Sequence, residues 1–192
     1  MAFAKPKKVL DQAALMEYAV KSLASRMKSV RDLRRLMKMR CEPGDAGEAA
    51  MDAVIAKLTE LNYLNDPRFA ADYTRLRKEN EKHGRRRVQQ DLMQKGVGGE
   101  LVKSTLAEAY DDIDEAALVR AYIARKRMQA PSGADAQKQT ARVMGRLARA
   151  GFSTGAIFKV LRAWNLPEEA MPVEGGADSD TYAEAEDGLP EF

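Results

Sequence analysis

Val88, Leu92, Gly96-Val97, Val102 and Leu106 recur further along the chain as Val143, Leu147, Gly151-Phe152, Ile157 and Leu161, at identical offsets. A fixed register of apolar positions around one glycine signals a stacked array of small units, each of which buries its face against its neighbours. A tyrosine precedes each set. Tyr73 stands 15 residues before Val88, Tyr18 stands 15 residues before Leu33, and Tyr122 stands 21 residues before Val143. Leu33 and Met37 keep the pattern in the first unit, where a Pro/Gly-rich segment at 42–47 inserts about a turn and a half of extra chain before Val54 and Leu58.

The units are helical. Runs of alternating β-branched residues are missing, while Ala, Leu, Met, Arg, Lys, Gln and Glu dominate, which are strong helix formers. Breakers at Glu42–Gly47, Asn65–Pro67, Lys82–Gly84, Gly96–Gly99, Pro131–Gly133 and Gly151–Gly155 cut the chain into nine short helices. The expected architecture is all-α: three tandem three-helix repeats over 14–64, 65–112 and 113–167, forming an elongated, curved body. An N-terminal arm at 1–13 precedes them and an acidic, disordered tail at 168–192 follows. Each repeat places its tyrosine on the first helix, as with Phe69, Tyr73 and Leu76 at i, i+4 and i+7 on one apolar face.

Charge is asymmetric along the chain. Residues 168–192 hold nine acids and no Lys or Arg, so the remaining body carries 32 bases against 20 acids. Such a body suits polyanions or acidic surfaces, and the tail has the charge to compete for it. No stretch approaches the ~18 consecutive apolar residues of a membrane span, and the basic start lacks the apolar run of a secretory signal. A cytoplasmic monomer without membrane contact is expected.

One cysteine and one histidine leave no material for disulfide frameworks, zinc sites or Cys/His nucleophile pairs. Gly98-Gly-Glu-Leu-Val-Lys103-Ser104 has Val102 where a phosphate loop needs glycine, and no strand leads into it. His83, beside Gly84 in a basic segment, reads as a surface residue, and Cys41 as a buried or half-buried thiol. No catalytic residue, metal ligand or cofactor is therefore assigned, and the chain is read as a non-enzyme.

Basic clusters carry the polar signal. They lie at Arg31, Arg34, Arg35, Lys38 and Arg40, around Arg75–Lys95, at Arg120 and Arg125–Arg127, and at Arg142, Arg146 and Arg149. The last three, at i, i+4 and i+7, line one helix face able to hold phosphates or carboxylates through charge-assisted bonds. The contact candidates are Arg75, Arg77, Arg85, Arg86, Arg87 and Lys95 in the central repeat and Arg125, Lys126, Arg142, Arg146 and Arg149 in the third. The few aromatic residues sit at core positions, so DNA contact would run through the backbone and weaken with salt.

Leu64-Asn-Asp-Pro-Arg-Phe-Ala-Ala-Asp-Tyr73 with Arg75 and Arg77, followed by Gly84-Arg-Arg-Arg-Val-Gln-Gln-Asp-Leu-Met-Gln-Lys-Gly-Val97, resembles the RecX family of recombination regulators. The likeness extends back through Ala19, Leu23, Arg26, Ser29 and Asp32–Arg35, and forward through Arg142–Ser153 and Ile157, covering about residues 14–164. It implies a non-enzymatic bacterial protein of tandem three-helix repeats that binds RecA and the RecA–DNA filament. Lying in the filament groove, it would modulate, mostly inhibit, strand exchange, ATP turnover and the co-protease function behind the SOS response. Departures are the insertion at 42–47, the longer link around Pro131–Gly133 and the acidic tail. The competing reading is a helical DNA-binding protein that acts independently of RecA, which would show sequence-specific binding to bare DNA.

Overall fold

The computed structural model of the chain describes residues 9–164. The acidic tail and most of the N-terminal arm lie outside the described residues. Among the described residues nine helices follow one another: α1 (Gln12–Ser25), α2 (Val30–Lys38), α3 (Asp45–Glu60), α4 (Asp66–Glu79), α5 (Arg85–Gln94), α6 (Gly99–Tyr110), α7 (Glu115–Arg125), α8 (Ala136–Arg149) and α9 (Thr154–Arg162). No strand occurs among the described residues. The fold is all-α, built from three-helix repeats.

Local chemistry sets the starts. Side chains of Asp11, Ser29, Asn65, Asp114 and Ser153 accept from backbone N–H groups in the first turns of α1, α2, α4, α7 and α9. Each thereby satisfies a donor that has no partner within its own helix.

Three apolar clusters form, each from one helix triplet. The first joins Leu15, Ala19, Leu33, Met37, Met51, Val54, Leu58 and Leu64. In the second, Phe69 and Ala70 of α4 meet Val88 and Leu92 of α5 and Val102, Leu106 and Tyr110 of α6. The third gathers Val119, Tyr122, Leu147, Phe152, Ile157 and Leu161. In all three the first helix packs on the third, as α1 on α3, α4 on α6 and α7 on α9.

The structure changes four details of the sequence reading. The insertion at 42–47 is not all loop: α3 begins at Asp45, and Gly47 is buried within it against the Glu42 carbonyl, where a Cβ would come within 1.8 Å. The extra chain becomes additional helix, so Val54 stands tenth in α3 while its counterpart Val102 stands fourth in α6. Val143, which the shared register aligns with Val88 in the first turn of α5, stands eighth in its own helix, because α8 starts seven residues earlier at Ala136, and its side chain is only half-buried. Leu76 is exposed; the buried face of α4 turns instead through Phe69, Ala70 and Thr74. Finally, His83 is not a surface residue. Its side chain is 15% exposed. The ring centroid lies 6.2 Å from that of Tyr122, in the next repeat. Cys41 is half-buried.

Candidate functional site

Successive repeats meet through their middle helices. Helix α8 ends in a left-handed glycine, Gly151 (φ 92°), whose N–H bonds to Ala148 O at 2.9 Å while Phe152 N–H reaches back to Leu147 O at 3.4 Å. Helix α5 ends the same way: Gly96 (φ 76°) bonds to Met93 O at 2.9 Å and Val97 to Leu92 O at 3.2 Å. This paired closure, with Leu–Phe and Leu–Val contacts beneath it, is a Schellman motif. It explains why Leu, Gly and the following apolar residue keep fixed offsets.

The same glycines are the seats of the junctions. Gly84 N–H and Arg86 N–H, at the start of α5, donate to Ala150 O (2.9 Å) and Gly151 O (3.2 Å). The first turn of α5 is thus capped by the last turn of α8. At the other junction Ser29 Oγ, ahead of α2, donates to Lys95 O at 2.6 Å, and Lys95 Nζ binds Asp32 at 2.9 Å. Val30 N–H adds a bond to Asp66 at 2.9 Å. A Cβ at Gly96 would sit 2.1 Å from the Arg31 side chain, and one at Gly151 would sit 2.2 Å from Arg87 N. The three middle helices therefore abut end to end in the order α8, α5, α2.

Between the junctions, buried Asp91 on α5 gathers the central cations. Its carboxylate accepts from Tyr73 Oη at 3.0 Å and lies 3.1 Å from Arg87 Nε and 3.5 Å from Arg77 Nε. Arg77 also donates to Tyr73 Oη at 2.7 Å, pairs with Glu81 and covers the Tyr73 ring at 4.9 Å. Burial pushes the Tyr73 hydroxyl pKa up, and the nearby Asp91 charge acts in the same direction.

The basic candidates consequently divide into two groups. In the central repeat Arg75 faces Asp72 and Glu79, Arg85 faces Asp111 at 2.8 Å, and Arg77, Arg87 and Lys95 serve the Asp91 network or the α5–α2 junction. Arg86 alone of these six is exposed without a side-chain partner among the described residues. In the third repeat Arg125, Arg142, Arg146 and Arg149 are all exposed and have no such partner, while Lys126 lies over the Tyr122 ring at 5.7 Å. Composition follows the same division. Residues 9–64 hold nine bases and eight acids, 65–112 ten and nine, and 113–164 ten and three. The excess of the described body is concentrated in its last repeat, although basic residues occur in every one.

Lys138, Arg142, Arg146 and Arg149 fall within about 80° of arc on α8, at ~100° per residue. Gly145 lies about 20° outside this arc, next to its Lys138 edge, and a Cβ there would stand 3.3 Å from Arg149 Nη1. Sequence reasoning found the arginines but missed Lys138, which continues their spacing at i−4 from Arg142.

The family model for the second three-helix domain of RecX matches residues 65–106, the stretch that contains Asp91 and both of its glycine-flanked helix ends. A regulatory protein RecX from Mycolicibacterium vanbaalenii is 30% identical over 149 residues, covering 73% of this chain and 77% of that relative. The chain belongs to the RecX family. Another member, from Escherichia coli, is 36% identical over 120 residues, covering 59% of this chain and 70% of the relative. Among solved structures, the crystal structure of RecX from Lactobacillus salivarius superposes with a TM-score of 0.58 at 18% identity, covering 81% of this chain and 97% of that one. A second, the crystal structure of a regulatory protein RecX, gives a TM-score of 0.61 at 21% identity, covering 79% and 73%. These two likenesses establish the helical-repeat fold. The relatives carry the name of regulatory proteins, which implies action on another macromolecule, and none of the described helices is long and apolar enough to cross a membrane.

Proposed function

We propose that this protein binds the RecA recombinase and its filament on DNA and modulates it, chiefly by inhibition. Strand exchange, ATP turnover and the co-protease activity behind the SOS response would fall together, which affects DNA repair and homologous recombination. It acts in the cytoplasm, as a monomer, without cofactor and without catalysis of its own. Membership of a family of regulatory proteins supports the partner class. The observation that carries the reading is the set of exposed cations without side-chain partners among the described residues, Arg86 on α5 and Arg142, Arg146 and Arg149 on α8. Charges already held by carboxylates gain little from a partner, whereas unpaired guanidinium groups form charge-assisted bonds to acidic side chains or phosphates. Repeat 3 is therefore assigned the larger share of the contact, with Arg125 and Lys126 at its edge, and the paired Arg75, Arg77, Arg85, Arg87 and Lys95 a smaller one.

The test is RecA's DNA-dependent ATP hydrolysis on preformed filaments as this protein is added, beside its binding to bare DNA at matched salt. A sub-stoichiometric fall in hydrolysis with much weaker binding to bare DNA is the expected result. The helical spacing of unpaired arginines on α8 also suits phosphates directly. Tight DNA binding with unchanged hydrolysis would transfer the assignment to a DNA-binding protein acting independently of RecA.

A further inference from the structure

The basic arc of α8 has a candidate occupant within the same chain. Its cations lack carboxylate partners among the described residues, and only Asp135 supplies an acid anywhere between residues 116 and 164. The described structure ends at Trp164, which packs on the same apolar cluster as Val143 and Met144 of α8. Four residues later, at Glu168, begins a stretch of nine acids without a single Lys or Arg. A four-residue link reaches about 14 Å when extended, and α8 is about 21 Å long, so the stretch can span the whole arc. Repeats 1 and 2 are nearly neutral overall, with nine bases to eight acids and ten to nine among the described residues. Gly145, flanking the arc, leaves the helix without a side chain where the Arg149 guanidinium approaches the backbone.

We propose that the acidic stretch 168–192 docks along the Lys138–Arg142–Arg146–Arg149 arc of α8, so that any polyanionic partner of repeat 3 must displace it. Tethering so close to its site gives the stretch a millimolar effective concentration. Weak individual carboxylate–guanidinium contacts then suffice to keep the arc covered. Occupancy would fall as salt rises, because the contacts are exposed and screened.

The inference does not depend on RecA, and its test uses the full chain alone. A nitroxide placed at Ser179→Cys in a Cys41→Ser background should broaden backbone amide signals of α8 and spare those of α2, with recovery at high salt. Unlabelled Cys41→Ser chain should retain its spectrum outside residue 41 and its neighbours, so loss of fold is visible directly. In a second arm, changing the nine carboxylates to their amides should tighten binding of a 30-nucleotide single-stranded DNA about ten-fold at low salt, with the difference closing at high salt. Broadening that is absent, spread evenly or centred on another repeat overturns the proposal, as does unchanged DNA affinity. Isotope-labelled chain mixed with spin-labelled, unenriched chain distinguishes a second copy: broadening of α8 in that mixture would give the arc an intermolecular occupant and overturn the intramolecular one.

Discussion

Gly84 and Gly151 face each other with no room for a methyl group: a Cβ at Gly84 would lie 2.3 Å from Gly151 O, and one at Gly151 would lie 2.2 Å from Arg87 N. Both obstacles are backbone, which cannot swing aside as a long side chain can. Gly151 also holds a φ of 92°, open to glycine and strained for alanine. Gly151→Ala should therefore lower unfolding free energy by about 2–3 kcal/mol in a urea titration. Gly155→Ala, in α9 with nothing within 4 Å of its would-be Cβ, should leave stability unchanged or raise it by ~0.5 kcal/mol. The single histidine supplies a second residue-scale prediction. Burial lowers the His83 pKa below 6.5, opposed by the Glu81 carboxylate, and its Nδ1 is buried without a hydrogen-bond partner. Below pH 6.5 the unfolded chain thus binds more protons at this site than the folded one, so stability falls as pH drops through 6.5, whereas above it the site contributes no slope. An imidazole NMR titration checks this without ambiguity, and a midpoint at or above 6.5 would refute it. Neither feature was legible in the sequence. Gly84 read only as a helix breaker, and His83, placed among charged neighbours, is buried by Tyr122 from a helix 39 residues away.

At the scale of helices, the repeat register was legible because it encodes a helix ending: Leu at the third position before the cap, Gly just beyond it and an apolar residue next satisfy two carbonyls at once. Repeat 1 breaks this register with Cys41 in the glycine position, and there Leu10 N–H donates to Arg40 O at 2.8 Å. Among the described residues no further repeat stacks on that end, and no left-handed residue closes α2. Pairing of the basic clusters was hidden only in part: Arg75, Arg77 and Arg87 have carboxylates one helical turn away, whereas those of two others come from distant segments, Asp111 being 26 residues from Arg85 and Asp32 63 from Lys95. Asp91 shows what this means energetically. Asp91→Ala leaves Arg77, Arg87 and Tyr73 facing one another without their shared anion, and should cost about 3 kcal/mol, measured by thermal or urea unfolding. Leu92→Ala, one residue on and fully buried, should cost ~2–5 kcal/mol through the cavity it leaves.

For the whole molecule, charge excess and architecture are separable. Three repeats share one fold, yet only the last departs strongly from neutrality among the described residues, with ten bases to three acids. Changing Arg142, Arg146 and Arg149 together to Gln should flatten the dependence of log K on log salt for single-stranded DNA by about 2, at ~0.7 per lost phosphate contact. The same exchange at Arg75 and Arg85, which already face Asp72, Glu79 and Asp111, should change that slope far less. Circular dichroism should show unaltered helix content in both variants. The end-to-end order α8, α5, α2 also has an electrical consequence. At each junction the carboxyl end of one middle helix meets the amino end, with its partial positive charge, of the next, so the inner poles cancel in pairs and the outer two remain. Two uncompensated poles are left, positive where α8 begins and negative where α2 ends. The positive pole lies in the repeat that holds the excess cations, so within a Debye length an anionic track would meet the third repeat most favourably.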